Sequence, residues 1–150
     1  MLSQLFENAG PLVTQLSKEE PFDSPAHMMA RARELLSQMT PAEQIAVVNS
    51  HPRIGEPAES LKEISTTSYN EQGGDADKTS ADVMAELHRL NALYEERFGF
   101  RFVVFVNRRS KSEIVPILRS RLNNSRDEEL RTALHDVLAI AEDRLRRTTS

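Results

Sequence analysis

The sequence predicts an all-α fold, a single compact domain of about seven or eight helices over residues 1–150. Three observations predict it. Helix-start signatures recur along the chain, at Ser24-Pro25, Thr40-Pro41-Ala42-Glu43 and Ser110-Lys111-Ser112-Glu113, where a Ser or Thr oxygen accepts from the first orphan backbone N–H groups. Behind these starts, apolar residues return every three or four positions, the period of one helix face. And only one segment, Phe100–Val106, has strand-like composition, so no partner strand is available to it.

Taken in order, Ser24 is an N-cap with Pro25 at the first helical position, which suits a ring that has no N–H to lose. Met28, Ala32, Leu35, Leu36 and Met39 then form the buried face. Thr40 opens the next helix, with Ile45, Val48 and Val47 inward. It ends near His51-Pro52, because a residue before Pro is pushed out of the α region. Residues 52–79 are broken by Pro52, Gly55, Pro57, Gly73 and Gly74, with a short helical stretch at Ser60–Ile64. From Ser80 a long helix runs to about Phe98, with Val83, Leu87, Leu90 and Tyr94 inward and Gly99 as its C-terminal cap. Phe100–Val106 reads as an extended or helical core segment, since a lone strand would leave its backbone unpaired. Ser110 opens a helix to about Leu122, with Pro116 one turn in. Ser125 opens the last, whose inner stripe is Leu130, Leu134, Val137, Ala141 and Leu145.

Composition narrows the function. Lys+Arg is 19 against Asp+Glu 23, a formal net charge of -4. Such a chain lacks the clustered cations that grip a phosphate backbone, so no nucleic-acid partner is expected. Aromatic residues are only 5% and Trp is absent, which leaves no base-stacking platform. With no cysteine, disulfides, thiolate metal sites and a Cys nucleophile are excluded. No apolar run approaches the roughly 18 residues of a membrane span, and Met1–Glu7 has no signal-peptide pattern. The expected setting is the cytoplasm, with no membrane partner.

Of four histidines, His27, His88 and His135 fall on polar faces of predicted helices and read as solvated. No pair has i, i+4 ligand spacing, so no metal is expected. His51 differs. It stands at a helix-to-loop junction in His51-Pro52-Arg53-Ile54-Gly55, where Pro52 stiffens the exit. A ring fixed there suits a general acid or base; the alternative is a cationic helix terminator. Ser68-Tyr69-Asn70-Glu71-Gln72 offers a hydroxyl, a carboxylate and an amide within five residues, groups that fix a small polar substrate. It also spells a capping box. Gly73-Gly74-Asp75 lacks the pattern of a phosphate loop. Asn107-Arg108-Arg109 is either ordinary surface charge or a cationic edge toward an anionic substrate.

Together, His51-Pro52-Arg53-Ile54-Gly55, Ser68-Tyr69-Asn70-Glu71-Gln72, Phe98-Gly99-Phe100-Arg101-Phe102-Val103-Val104 and Asn107-Arg108-Arg109-Ser110-Lys111 resemble, in order and spacing, the OHCU decarboxylase family. These enzymes decarboxylate 2-oxo-4-hydroxy-4-carboxy-5-ureidoimidazoline in urate breakdown. Gly10-Pro11-Leu12-Val13 and Pro21-Phe22 also resemble its N-terminal region. The resemblance implies an all-α homodimer with no metal or organic cofactor, acting on a small ureidoimidazoline and releasing S-allantoin. It makes His51, as the acid, and Glu71 the catalytic residues, puts Pro52 against substrate, and makes Ser68, Glu71 and Gln72 the anchors of ureido and ring groups. It also puts the backbone of Val103, Val104, Phe105, Val106 and Asn107 against substrate. Family members often have Pro at the position of Arg101 and some have Arg at that of Asn107, so a guanidinium contact would fall to Arg108 or Arg109.

The chemistry implied needs no electron sink from a cofactor, because the C=N bond beside the carboxylate-bearing carbon accepts the electron pair left by CO2. Glu71 belongs away from the departing carboxylate, with ureido N–H donors or beside His51 to keep it protonated. Two other functions fit the residues alone: a non-catalytic helical binding module, and a ureide or amide hydrolase using His51 and Glu71 to activate water.

Overall fold

A computed structural model of the chain describes residues 5–7, 10–55, 66–74 and 79–149. These residues contain seven helices and no strand: α1 (Gly10–Glu19), α2 (Pro25–Gln38), α3 (Pro41–Asn49), α4 (Thr66–Glu71), α5 (Ala81–Phe98), α6 (Lys111–Arg121) and α7 (Arg126–Thr149). The predicted Ser60–Ile64 stretch lies outside the described residues. No helix among them is long and apolar enough to cross a membrane. The chain divides into two compact units, Met1–His51 with Leu130–Ser150, and Pro52–Glu129.

In the first unit, α1 packs on α2 and α3 through Leu12 and Leu16. The expected caps form. Ser24 accepts from the His27 N–H, with Pro25 at the first turn. Thr40 and Glu43 close a reciprocal capping box, a device in which each Ser/Thr cap contributes about 1 kcal/mol. Gln44 donates to the Leu36 carbonyl at 2.8 Å and ties the α2–α3 turn. Val47 and Val48 are buried, while Ile45 and Met39 are only half-buried. On α7 the buried face is wider than the predicted stripe. Leu130, Val137, Ala141 and Leu145 are buried as expected, Ala133, Leu138 and Ile140 join them, and Leu134 is half-buried.

In the second unit, α5 packs on α6. Ser80 caps α5, and Gly99 ends it in the left-handed region, φ 79. A side chain there would carry the steric cost that glycine avoids. Phe100–Val106 is neither helix nor strand and is largely buried, and its carbonyls show how a segment without a partner strand is satisfied. Arg121 Nη1 donates to Val103 O at 2.8 Å. Arg109 reaches back to Phe105 O at 2.7 Å and Val106 O at 3.1 Å. Just upstream, Arg126 Nε holds Phe98 O at 2.9 Å. Guanidinium groups take the place that a neighbouring strand would fill. Tyr94 sits at the hub of the core, with ring centroids 4.6 Å from Phe98, 5.9 Å from Phe100 and 5.4 Å from Phe102. Each such buried ring contributes a few kcal/mol, about 1.5–3.

Candidate active site

His51 follows the last turn of α3, whose C-cap is Ser50. It is 3% exposed. Its N–H donates to Val48 O at 3.1 Å, and its Nδ1 lies 3.3 Å from Val47 O, a carbonyl that also accepts the Ser50 hydroxyl at 2.6 Å. A carbonyl only accepts, so the bonded ring carries its proton on Nδ1 and presents the lone pair of Nε2.

The electrostatics of His51 come from an unexpected source. In the same unit Arg144 and Glu7 form a buried ion pair at 2.6 Å, the two side chains 4% and 6% exposed, and Arg144 also donates to Leu5 O at 3.3 Å. Burial lowers the pKa of His51 from 6.5 to about 4; the Glu7 charge pulls it up, Arg144 pushes it down, and the Val47 carbonyl pulls it up. Burial prevails, so the ring is neutral at neutral pH. A neutral ring does not fit the cationic helix terminator that the junction also allows.

A base whose pKa is depressed in the folded state binds fewer protons there than when unfolded. The stability it confers is fully present above pH 6.5 and is lost as pH falls through about 4. The melting temperature of the wild type should therefore drop more steeply over that window than that of His51→Asn. Parallel melting curves would contradict a neutral buried ring.

In the second unit, three side chains converge on the turn that follows His51-Pro52 in the chain. The Gln72 amide accepts from the Gly55 N–H at 2.9 Å and donates to Arg53 O at 3.3 Å. Asn91, buried on α5, donates to Ile54 O at 2.9 Å. Glu95 holds the Arg53 guanidinium through two bonds, 2.7 and 2.9 Å. Gly55 itself needs φ 82 and lies against Leu87. Lys111, 7% exposed, donates to Gln72 O at 2.9 Å. Gln72 is thus a fastener of the 53–55 turn, whatever else it touches.

Ser68 is buried and lies inside α4, and Glu71, half-buried, is the last residue of that helix. A capping Ser must precede its helix, so the capping-box reading of Ser68 and Glu71 is excluded. Val103 and Val104 are buried and Phe105 and Val106 half-buried. Asn107 and Arg108 form a left-handed turn, φ 48 and 64, with both side chains exposed. Arg109 turns onto its own loop carbonyls. His27, His88 and His135 are exposed, as expected. No group of three or more His, Cys, Asp or Glu side chains among the described residues could hold a metal ion.

The family model of OHCU decarboxylase matches residues 1–146. The chain belongs to the OHCU decarboxylase family. It is a lyase that acts in urate degradation. Its relatives include a 2-oxo-4-hydroxy-4-carboxy-5-ureidoimidazoline decarboxylase of Haloferax volcanii, 29% identical over 143 residues, or 95% of this chain and 83% of that protein. The protein of the same name from Amia calva is 32% identical over 130 residues, or 83% of this chain and 72% of the relative. A crystal structure of OHCU decarboxylase in the presence of (S)-allantoin shares the fold with TM-score 0.79 at 24% identity, covering 97% of this chain and 95% of the other.

Several residues around this family's motifs escape a reading of the sequence. Glu7 and Arg144 stand 137 positions apart, and no local pattern links them. Asn91 leaves a usable signal: it is a polar residue on the apolar face formed by Leu87, Leu90 and Tyr94. Such a residue must find a hydrogen-bond partner. Lys111 reads as part of a capping box, and its buried ammonium becomes visible only in the fold.

Proposed function

We propose that the chain decarboxylates 2-oxo-4-hydroxy-4-carboxy-5-ureidoimidazoline to (S)-allantoin as a cofactor-independent enzyme, a cytoplasmic homodimer built from one domain over residues 1–150. Family membership supports the reaction, and the buried His51 ring, with Nδ1 on the Val47 carbonyl, is the observation that carries the mechanism. Loss of CO2 sends its electron pair toward the C=N bond, whose nitrogen takes a proton. The enol that remains must lose its hydroxyl proton and gain one on the ring carbon. A neutral imidazole with Nδ1–H on Val47 O is suited to both acts. It accepts the hydroxyl proton at Nε2, then delivers a proton from Nε2 to one face of the carbon. His51 thereby acts as an acid only after it has acted as a base, which a pKa of about 4 permits at neutral pH.

The other roles follow the chemistry of each group. Glu71 accepts from ureido N–H donors, Ser68 adds a hydroxyl, and Pro52 keeps the exit from His51 stiff. Gln72 secures the 53–55 turn and offers its amide edge to the ring. Backbone groups of Val103–Asn107 hold the planar amide-like parts of the substrate, with Arg109 fixing the Phe105 and Val106 carbonyls.

Product analysis tests the reaction class. Stoichiometric CO2 without ammonia supports decarboxylation. Ammonia release would support the hydrolase that His51 and Glu71 could also serve, and no turnover would leave a binding module. Activity is expected to survive EDTA and exhaustive dialysis. Loss of turnover on metal removal, restored by adding the metal back, would overturn the cofactor-free reading.

A further inference from the structure

The Phe100–Val106 segment is anchored at Val103 by a buried network that the proposed chemistry does not use. Glu129, 0% exposed, accepts from the Tyr94 hydroxyl at 2.6 Å, from Arg121 Nε at 2.8 Å and from Asn124 Nδ2 at 2.7 Å. Arg121, itself 8% exposed, lies 4.7 Å over the Phe102 ring and sends Nη1 to Val103 O at 2.8 Å. Residues from α5, α6 and the start of α7 therefore meet in one network, which reaches the Val103 carbonyl through Arg121. That carbonyl opens the Val103–Asn107 stretch.

The guanidinium fork makes this possible. One N–H meets a carboxylate while another meets a carbonyl, in a fixed plane, which the point charge of a lysine cannot reproduce. We propose that Arg121, held by Glu129 and Tyr94, is a positioning residue that sets the substrate-facing backbone of Val104–Asn107 through the Val103 carbonyl. The proposal rests on the reading that this segment binds the ureidoimidazoline. Backbone contacts of that kind hold substrate and transition state alike, so loosening them raises KM more than it lowers kcat.

The test is Arg121→Lys, with Arg126→Lys as comparator. Arg121→Lys keeps a cation beside Glu129, whereas Arg121→Ala would strand a buried carboxylate. Arg126 makes an equivalent bond to Phe98 O, upstream of the segment. The expected result is a KM raised about ten-fold, the worth of one charge-assisted hydrogen bond, with kcat nearly unchanged. Amide hydrogen exchange at 104–107 should accelerate, and Arg126→Lys should keep the wild-type KM. Tyr94→Phe removes one donor from Glu129 while keeping the ring packing, and should shift KM the same way by less. It supplies the readout if Arg121→Lys fails to fold. Wild-type KM and exchange in Arg121→Lys and Tyr94→Phe would overturn the proposal, as would equal effects from the two lysine variants. A wild-type protein that releases no CO2 would overturn the functional reading and the substrate half of this one. Exchange at 104–107 in Arg121→Lys would then show separately whether Arg121 holds the segment.

Discussion

Replacing His51 with alanine or asparagine should remove nearly all turnover while the protein still folds. A positioned acid–base group typically contributes about 10²–10⁴-fold, and no other histidine among the described residues is buried. The ring is packed at 3% exposure, so His51→Ala also leaves a cavity and should lower the melting temperature. His51→Asn is the cleaner variant because it retains an amide N–H and more of the volume. Its kcat/KM should fall by the full factor at a melting temperature close to wild type. Comparable activity in the two proteins would remove His51 from the chemistry and leave it as a neutral cap on the Val47 carbonyl.

The junction at His51 shows what a sequence discloses. Its place at a helix end follows from Pro52, and the structure ends α3 at Asn49. Its charge state does not follow from the sequence. That depends on burial and on Glu7 and Arg144, from segments far away along the chain. The caps at Ser24, Thr40, Ser80 and Ser110 were legible because capping is local. Phe100–Val106 was legible only as an oddity. The missing partner strand was evident, but the arginines that stand in for it come from positions 109 and 121, and no local pattern marks either for that role. At Ser68 and Glu71 the spacing left a cap and a substrate anchor equally open. Their spacing spells a cap, yet Ser68 is inside the helix.

Glu71→Gln is expected to lower kcat/KM by roughly ten- to a hundred-fold with little change in thermal stability. With the capping box excluded, a helix-start role no longer predicts a silent substitution. As an acceptor for ureido N–H groups, the carboxylate makes charge-assisted bonds of about 1.5–3 kcal/mol each. Glutamine puts an NH2 donor where an oxygen stood, so a donor faces a donor. Because His51 is already neutral, the effect should come from substrate anchoring. The acid limb of the pH profile should therefore stay where it is in the wild type. Ser68→Ala should act in the same direction by less, about 0.5–1.5 kcal/mol. Wild-type kinetics in Glu71→Gln would take Glu71 out of the site.

The most direct test of the central claim is the circular dichroism of freshly made urate-oxidation intermediate, followed with and without the protein. One-faced proton delivery predicts a rapid loss of the intermediate's signal and growth of the dichroism of S-allantoin, in proportion to the amount of protein. Decay at the uncatalysed rate to an optically inactive racemate, with the protein present and folded, would contradict it.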